Sequence, residues 1–206
     1  MVNIHVIEGI DGTGKSTYIS TKDGFKISAV NKSEKSLFDD LKSPYNKAFT
    51  FLMLILKKHE YLRKVVPEFK YDAVYFDRWL FSTLAYQTTE AIFNKKYMSD
   101  ISRIEHLVKR YMTQHIVSRN DRIIVHYIMP DFDLVKENLE KEKDKTELDQ
   151  RFSDLSFLKS VHYRYMKYLR EYQDWFEIDY IDQCQLFGYT GDELNGKSSS
   201  CQEQLV

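Results

Sequence analysis

Along this chain, the two-residue apolar period of strands alternates regularly with the three-to-four-residue period of helices. Val2 to Ile7 reads as a short apolar strand, broken by polar Asn3 and His5, and Glu8 to Thr17 as a glycine-rich turn. Lys15 to about Thr21 starts a helix that the Asp23-Gly24 turn signal keeps short. Phe25 to Val30 is a second strand. Asn31 to Tyr45 is polar and irregular, with a helical start at Ser36-Leu37-Phe38. Lys47 to Val66 carries Phe49, Leu52, Met53, Leu56, Leu62 and Val66 on a helix that Pro67 is expected to stop.

Ala73 to Phe76 is a buried-type strand ending at Asp77, and a helix follows from about Phe81 to Phe93. Ile104, Leu107, Val108, Tyr111, Met112 and Ile116 mark a helix over Ser102 to Val117. β-Branched Ile123-Ile124-Val125 marks a strand over Arg122 to Met129, ended by Pro130. Asp133 to about Lys145 predicts a charged helix, Asp154 to Phe176 a long amphipathic one, and Ile178 to Ile181 a last strand. Strands alternating with helices predict an α/β layered fold, with a mainly parallel five-stranded sheet flanked by helices. Residues 1–187 form the expected domain; residues 188–206, polar and with Ser198-Ser199-Ser200, read as a flexible tail.

Three of the seven glycines fall between positions 9 and 14, so backbone shape matters most there. Gly9-Ile10-Asp11-Gly12-Thr13-Gly14-Lys15-Ser16 fits G-x-x-x-x-G-K-[ST], the phosphate-binding P-loop. Glycines let backbone N–H groups turn inward around phosphate oxygens. Lys15 is placed to reach the β- and γ-phosphates and Ser16 to hold Mg²⁺. Gly9, Gly12, Thr13, Gly14, Lys15, Ser16 and Thr17 are therefore the expected nucleotide-binding residues. With the strand before it and the helix after it, the motif predicts a three-layer P-loop NTPase fold.

The stretch Phe76-Asp77-Arg78-Trp79-Leu80-Phe81-Ser82-Thr83-Leu84-Ala85-Tyr86-Gln87 should begin beside the P-loop strand. Asp77 can contact Mg²⁺ through water or orient Arg78. Arg78 offers a fixed fork of donors suited to a phosphate. Ser82, Thr83, Tyr86 and Gln87 can line a nucleoside pocket with hydroxyls, a ring and an amide.

Composition removes several other classes. Thirty Lys+Arg against 31 Asp+Glu argue against a large basic footprint for nucleic acid. Two cysteines, Cys184 and Cys201, cannot make a disulfide framework, and the six histidines show no metal-ligand spacing. The longest apolar run, Phe51 to Leu56, is far short of the roughly 18 residues of a membrane span. No basic-then-apolar segment opens the chain, so no signal peptide and a cytoplasmic location are expected.

Glu8 to Thr17, with Asp77-Arg78-Trp79, Ser82 and Ala85-Tyr86-Gln87, closely resembles the thymidylate kinase family; Phe152 to Leu158, leading to Tyr165, is a weaker match. The resemblance spans most of Val2 to about Asp182. It implies transfer of the ATP γ-phosphoryl group to dTMP or a related pyrimidine deoxynucleoside monophosphate, with Mg²⁺, in a homodimer. It places Asp11 near the sugar 3′-hydroxyl and the acceptor phosphate, and Arg78 on that phosphate. Thr83 and Gln87 come near the base, and Tyr86 crowds the sugar against a 2′-hydroxyl. Where the family has a phenylalanine and an arginine facing thymine, this chain has Leu54 and Lys58, or Met53 and Lys57 with a one-residue shift.

The chain also departs from the family. Ala29 to Glu34 lacks the arginine of the family's turn after the second strand; Lys32 or Lys35 stands nearby. Position 13 is Thr, which by family logic moves a transition-state cation to the lid, where Arg151 is the nearby arginine. Lys136 to Asp149 carries ten charged residues in fourteen. It reads as a solvated helical face or as a charged lid closing on ATP through Lys141, Lys143, Lys145 or Arg151. A deoxynucleoside kinase is the alternative enzyme, although such enzymes typically carry Glu-Arg-Ser where this chain has Asp77-Arg78-Trp79. A weakened nucleotide-binding homologue is the other alternative. A GTPase-like switch is disfavoured because Asn31-Lys32-Ser33-Glu34 lacks the aspartate of a guanine reader.

Overall fold

The computed structural model describes residues 3–69, 71–116, 122–141 and 154–186. Five strands, β1 (Asn3–Glu8), β2 (Phe25–Ser28), β3 (Ala73–Asp77), β4 (Ile123–Met129) and β5 (Glu177–Asp182), form one sheet in the order β2-β3-β1-β4-β5. Every neighbouring pair is parallel. The helices between them are α1 (Lys15–Ser20), α2 (Pro44–Phe69), α3 (Leu80–Phe93), α4 (Asp100–Tyr111), α5 (Phe132–Lys141), α6 (Leu155–Glu171) and α7 (Gln183–Leu186). Short 3₁₀ turns cover Lys32–Phe38 and Lys95–Tyr97, and a π turn (Met112–Ile116) extends α4.

The sheet is covered unequally. On one face, Val6, Val74, Phe76, Val125 and Tyr127 join α2, α3, α4 and α6 in one large core, with Trp79, Phe81, Leu84, Tyr165 and Tyr168 buried. On the other, Ile7 and Ile128 pack with Ile19 of α1, flanked by Tyr18, Tyr75, Ile181 and Leu186. Covering both faces explains why β4 reads as an apolar run, Ile123-Ile124-Val125, and not as an alternation.

The predicted α/β architecture and all five strands are present. Helix bounds are corrected: the helix expected to run to Phe176 ends at Glu171, where the chain turns into β5, and α2 does not stop at Pro67 but ends at Phe69. A proline so near a C-terminus removes a single i→i−4 hydrogen bond, which the rest of a 26-residue helix tolerates. At the other end Pro44 takes the first helical position, where its missing N–H leaves nothing unpaired, so α2 starts three residues before the predicted Lys47. No helix among the described residues is long and apolar enough to cross a membrane. The expected tail, residues 142–149 of the expected lid and the nearby Arg151 lie outside the described residues.

Candidate active site

β1 and β3 are neighbours, as the sequence predicted, and Ile7 lies opposite Asp77. The chain leaves β1 toward β2 on one side and leaves β3 toward β4 on the other. Their carboxyl ends therefore flank a topological switch point, where open α/β sheets bind ligands. The P-loop leaves β1 there, and Arg78 leaves β3.

The loop glycines are required by shape. Gly9 has φ +149°, and a Cβ on it would come within 2.9 Å of Thr13 Oγ1 and 3.2 Å of the Ile128 carbonyl. Gly12, at φ +82°, would meet the Val135 carbonyl at 3.0 Å. Gly14, also left-handed at φ 84°, sits at the N-cap of α1. Thr13 is fully buried and donates to the Ile10 carbonyl at 2.9 Å. Lys15 is buried, and its Nζ donates to the same carbonyl at 2.6 Å. Burial, and then the charge of Arg78, push the Lys15 ammonium down to about 8, against the opposing pull of Asp11, Asp77 and Glu8. Ser16 and Thr17 are exposed at the start of α1.

Arg78 is the sole residue other than glycine with positive φ among the described residues, at 65°. Its N–H donates to the Ile7 carbonyl at 3.0 Å. Its guanidinium donates to an Asp11 carboxylate oxygen, reaches the Gly9 carbonyl at 3.4 Å and lies 5.0 Å from the Tyr86 ring centre. The Tyr86 hydroxyl donates to the other Asp11 oxygen at 2.8 Å and accepts the Asp11 N–H at 3.0 Å. Burial raises the Asp11 carboxyl, but Arg78, Lys15 and the Tyr86 hydrogen bond outweigh it and hold the group below the usual carboxylate range. Asp11, Arg78 and Tyr86 thus form one cluster against the loop.

Asp77 is the carboxylate left over. Its Oδ1 is buried without a hydrogen-bond partner among the described residues. Such an oxygen has the chemistry to meet a cation, a bound water or an acceptor hydroxyl. Mg²⁺ fits this donor set: Ser16 and Asp77 offer two oxygens, and the ion usually takes its other ligands from nucleotide phosphates and water. No group of three or more metal-ligating side chains occurs among the described residues.

The remaining predicted residues divide. Thr83 and Gln87 are buried on α3. Thr83 Oγ1 turns back to the Trp79 carbonyl at 3.4 Å, and Gln87 Oε1 has no hydrogen-bond partner among the described residues. Ser82 is buried, and its hydroxyl is taken up by Glu8 and Tyr165. Leu54 is half-buried on α2. Lys58 Nζ donates to the carbonyls of Ser28 (2.9 Å) and Ala29 (2.7 Å) and to Glu34 (2.5 Å), tying α2 to the end of β2. Lys141 is exposed, 3.9 Å from Glu137 one turn earlier, as expected of a solvated helical face.

Sequence reasoning missed three groups that shape the site. Glu8 is fully buried and grips the start of α3. Asn138 and Gln183 each donate to the Gly12 carbonyl, at 2.8 and 3.0 Å. The charge of Glu8 at the end of an apolar strand was a readable signal. Asn138 and Gln183 lie 126 and 171 residues from their partner and carried none.

No family model matches the chain, and no curated protein does. Among solved structures, deoxyadenosine kinase from M. mycoides with bound dATP is similar at TM-score 0.60 and 15% identity, over 87% of this chain and 90% of that one. The same kinase with the products dCMP and dCDP is similar at TM-score 0.56 and 14% identity, over 94% and 99% of the two chains. With bound dCTP it is similar at TM-score 0.57 and 15% identity, again over 94% and 99%. The chain therefore has the fold of P-loop nucleoside kinases. Its likeness to thymidylate kinases rests on sequence motifs alone.

Proposed function

We propose that this protein is a P-loop phosphotransferase that moves the γ-phosphoryl group of ATP onto a deoxynucleoside. The observation that carries this reading is the buried Asp77 oxygen, without a hydrogen-bond partner among the described residues, at the end of the strand beside the P-loop. A hydroxyl acceptor must lose a proton as its oxygen bonds to phosphorus and the bond from phosphorus to the leaving ADP breaks. Asp77 is the carboxylate free to take that proton, since both Asp11 oxygens are held by Arg78 and Tyr86. Lys15 and Arg78 supply fixed positive charge around the transferring group, the main demand of phosphoryl transfer. Mg²⁺, held with ATP by Ser16 and met by Asp77 only through water, would neutralise phosphate charge. Gln87, buried with its carbonyl oxygen unsatisfied among the described residues, supports a hydrogen-bonding partner such as a nucleobase edge. The likeness to deoxyadenosine kinases supports the same acceptor class.

A second reading, transfer to dTMP, is favoured by Arg78 and its surrounding motif. A phosphate monoester is already an anionic nucleophile and needs a guanidinium more than a base. A homodimer belongs to both readings. Phe49 and Met53, 48% and 50% exposed one turn apart on α2, support an apolar contact, and sedimentation at micromolar concentration tests it.

An acceptor screen with ATP and Mg²⁺ tests the proposal: deoxynucleosides against dTMP, dUMP, dCMP, dGMP and dAMP. Phosphorylation of a deoxynucleoside, lost in Asp77→Asn, is the expected result. Turnover of monophosphates alone, retained in Asp77→Asn, would replace it with the second reading, and absence of turnover on every acceptor would reject both.

A further inference from the structure

Helix α3 begins with an unusual arrangement. Its N-cap residue is Trp79, whose side chain makes no capping hydrogen bond. Two of the N–H groups at that helix start, those of Trp79 and Ser82, are met from strand β1. Glu8 Oε1 accepts the Trp79 N–H at 2.9 Å and the Ser82 N–H at 3.1 Å. Glu8 Oε2 accepts the Ser82 hydroxyl and, at 3.1 Å, the Tyr165 hydroxyl. A carboxylate from β1 thus does in trans what a local Ser or Asp does at most helix starts.

The consequence falls on the residue before Trp79. Arg78 is pinned on one side by its own N–H to the Ile7 carbonyl and on the other by the capture of Trp79 by Glu8. Adjacent residues of β1 therefore hold adjacent residues of the β3–α3 corner. Between those two anchors the chain must turn, and it does so at φ 65°, a region that arginine rarely adopts. That turn sends the guanidinium back over the loop, to Gly9 and Asp11. Glu8 itself is fully buried and reaches no open surface, so it does not touch substrate.

We propose that Glu8 is a positioning residue, which fixes the start of α3 and thereby aims Arg78 at the reacting phosphate. This rests on the phosphotransferase reading for its catalytic meaning. The geometric claim about Arg78 stands apart from it.

The test uses the full chain with Glu8→Ala and Glu8→Gln. Glutamine keeps a carbonyl oxygen for the two N–H groups and is the variant expected to fold under all conditions. Acceptor kcat/KM should fall about 10²-fold in Glu8→Ala and about tenfold in Glu8→Gln, as expected for a misplaced catalytic group. ATP affinity measured without acceptor should stay within about twofold of the parent. In parallel, the Arg78 guanidinium resonance, resolved by its pairing with Asp11, should broaden or shift toward free arginine in both variants. An unmoved guanidinium signal, or equal losses of ATP and acceptor affinity, would overturn the proposal. The NMR reading needs no turnover, so it judges Glu8 even if the kinase reading fails.

Discussion

The Arg78 guanidinium reaches across from the end of β3 to the Asp11 carboxylate in the P-loop, and the arginine backbone takes a left-handed conformation at the turn that delivers it. A non-glycine residue held there costs roughly 1–3 kcal/mol, a strain that persists only where the surroundings over-determine it. The ion pair keeps a cation and a carboxylate beside the glycine-rich loop, each partly shielded from solvent.

That relationship separates two variants. Arg78→Lys keeps the charge but loses the paired donors and the backbone strain remains. It should lower kcat on any acceptor and raise the KM of an acceptor that itself carries a phosphate, with ATP binding in the absence of acceptor nearly unchanged. Arg78→Gly should cost at least as much activity, yet melt at or above the temperature of Arg78→Lys, because glycine accepts the positive φ freely. Calorimetric melting beside steady-state kinetics reads both. Loss of melting temperature in Arg78→Lys with unchanged kcat would reduce Arg78 to a structural ion pair.

Lys15→Ala should lower kcat by at least about 10²-fold, the scale for removing a preorganised electrostatic group. Its effect on stability has the opposite sign. A lysine whose pKa is depressed to about 8 in the fold opposes folding below that pH, and the penalty eases between about 8 and the unfolded value of 10.5. Lys15→Ala should therefore melt no lower than the parent at pH 7. Bound phosphates favour the ammonium, so ATP affinity should decline as pH rises past about 8, with proton uptake on binding. Titration calorimetry in buffers of different ionisation enthalpy checks this; proton release in place of uptake would contradict it.

Tyr86 has two duties that substitutions can split. Its hydroxyl bridges the Asp11 N–H and carboxylate, and its ring lies beside Arg78. Tyr86→Phe should lower kcat several-fold by freeing Asp11, while preference for deoxyribose over ribose persists, since the ring remains. Tyr86→Ala should relax that preference. Competition assays with paired ribo- and deoxyribo-acceptors measure it, and equal use of both sugars by the parent enzyme would remove the ring from this role.

His162 links the fold to pH. Burial pushes its imidazole down to about 4, and Nδ1 lies 2.7 Å from the Tyr127 hydroxyl. Lowering a basic group's pKa in the fold means the unfolded chain binds the extra proton first. His162 should thus destabilise the protein progressively as pH falls from about 6.5 to about 4. His162→Gln keeps an acceptor for Tyr127 without titrating. The melting-temperature gap between parent and variant should change in favour of the variant across that window; a pH-independent gap would show that His162 titrates as an ordinary histidine.

Much of the fold and of the loop geometry at the candidate site was readable in the linear order of residues. The P-loop announces itself because phosphate binding needs glycines, a lysine and a hydroxyl at fixed spacing along a continuous backbone, and local shape is written locally. The strands followed from apolar period for the same reason. The apolar run Ala73 to Phe76 was enough to place Asp77-Arg78 at a strand end.

What tertiary structure alone decided are the pairings between segments far apart in sequence. Ser82 looked like a pocket residue by its helical spacing, yet it faces Glu8 and Tyr165, because a buried carboxylate must fill its lone pairs and these donors are the ones the fold brings to it. Lys58, set by family spacing near a base, holds the end of β2 to Glu34. Helical period says which residues share a face, but not which strand's carboxylate that face will meet; the order of strands in the sheet, set by long-range packing, determines that partner.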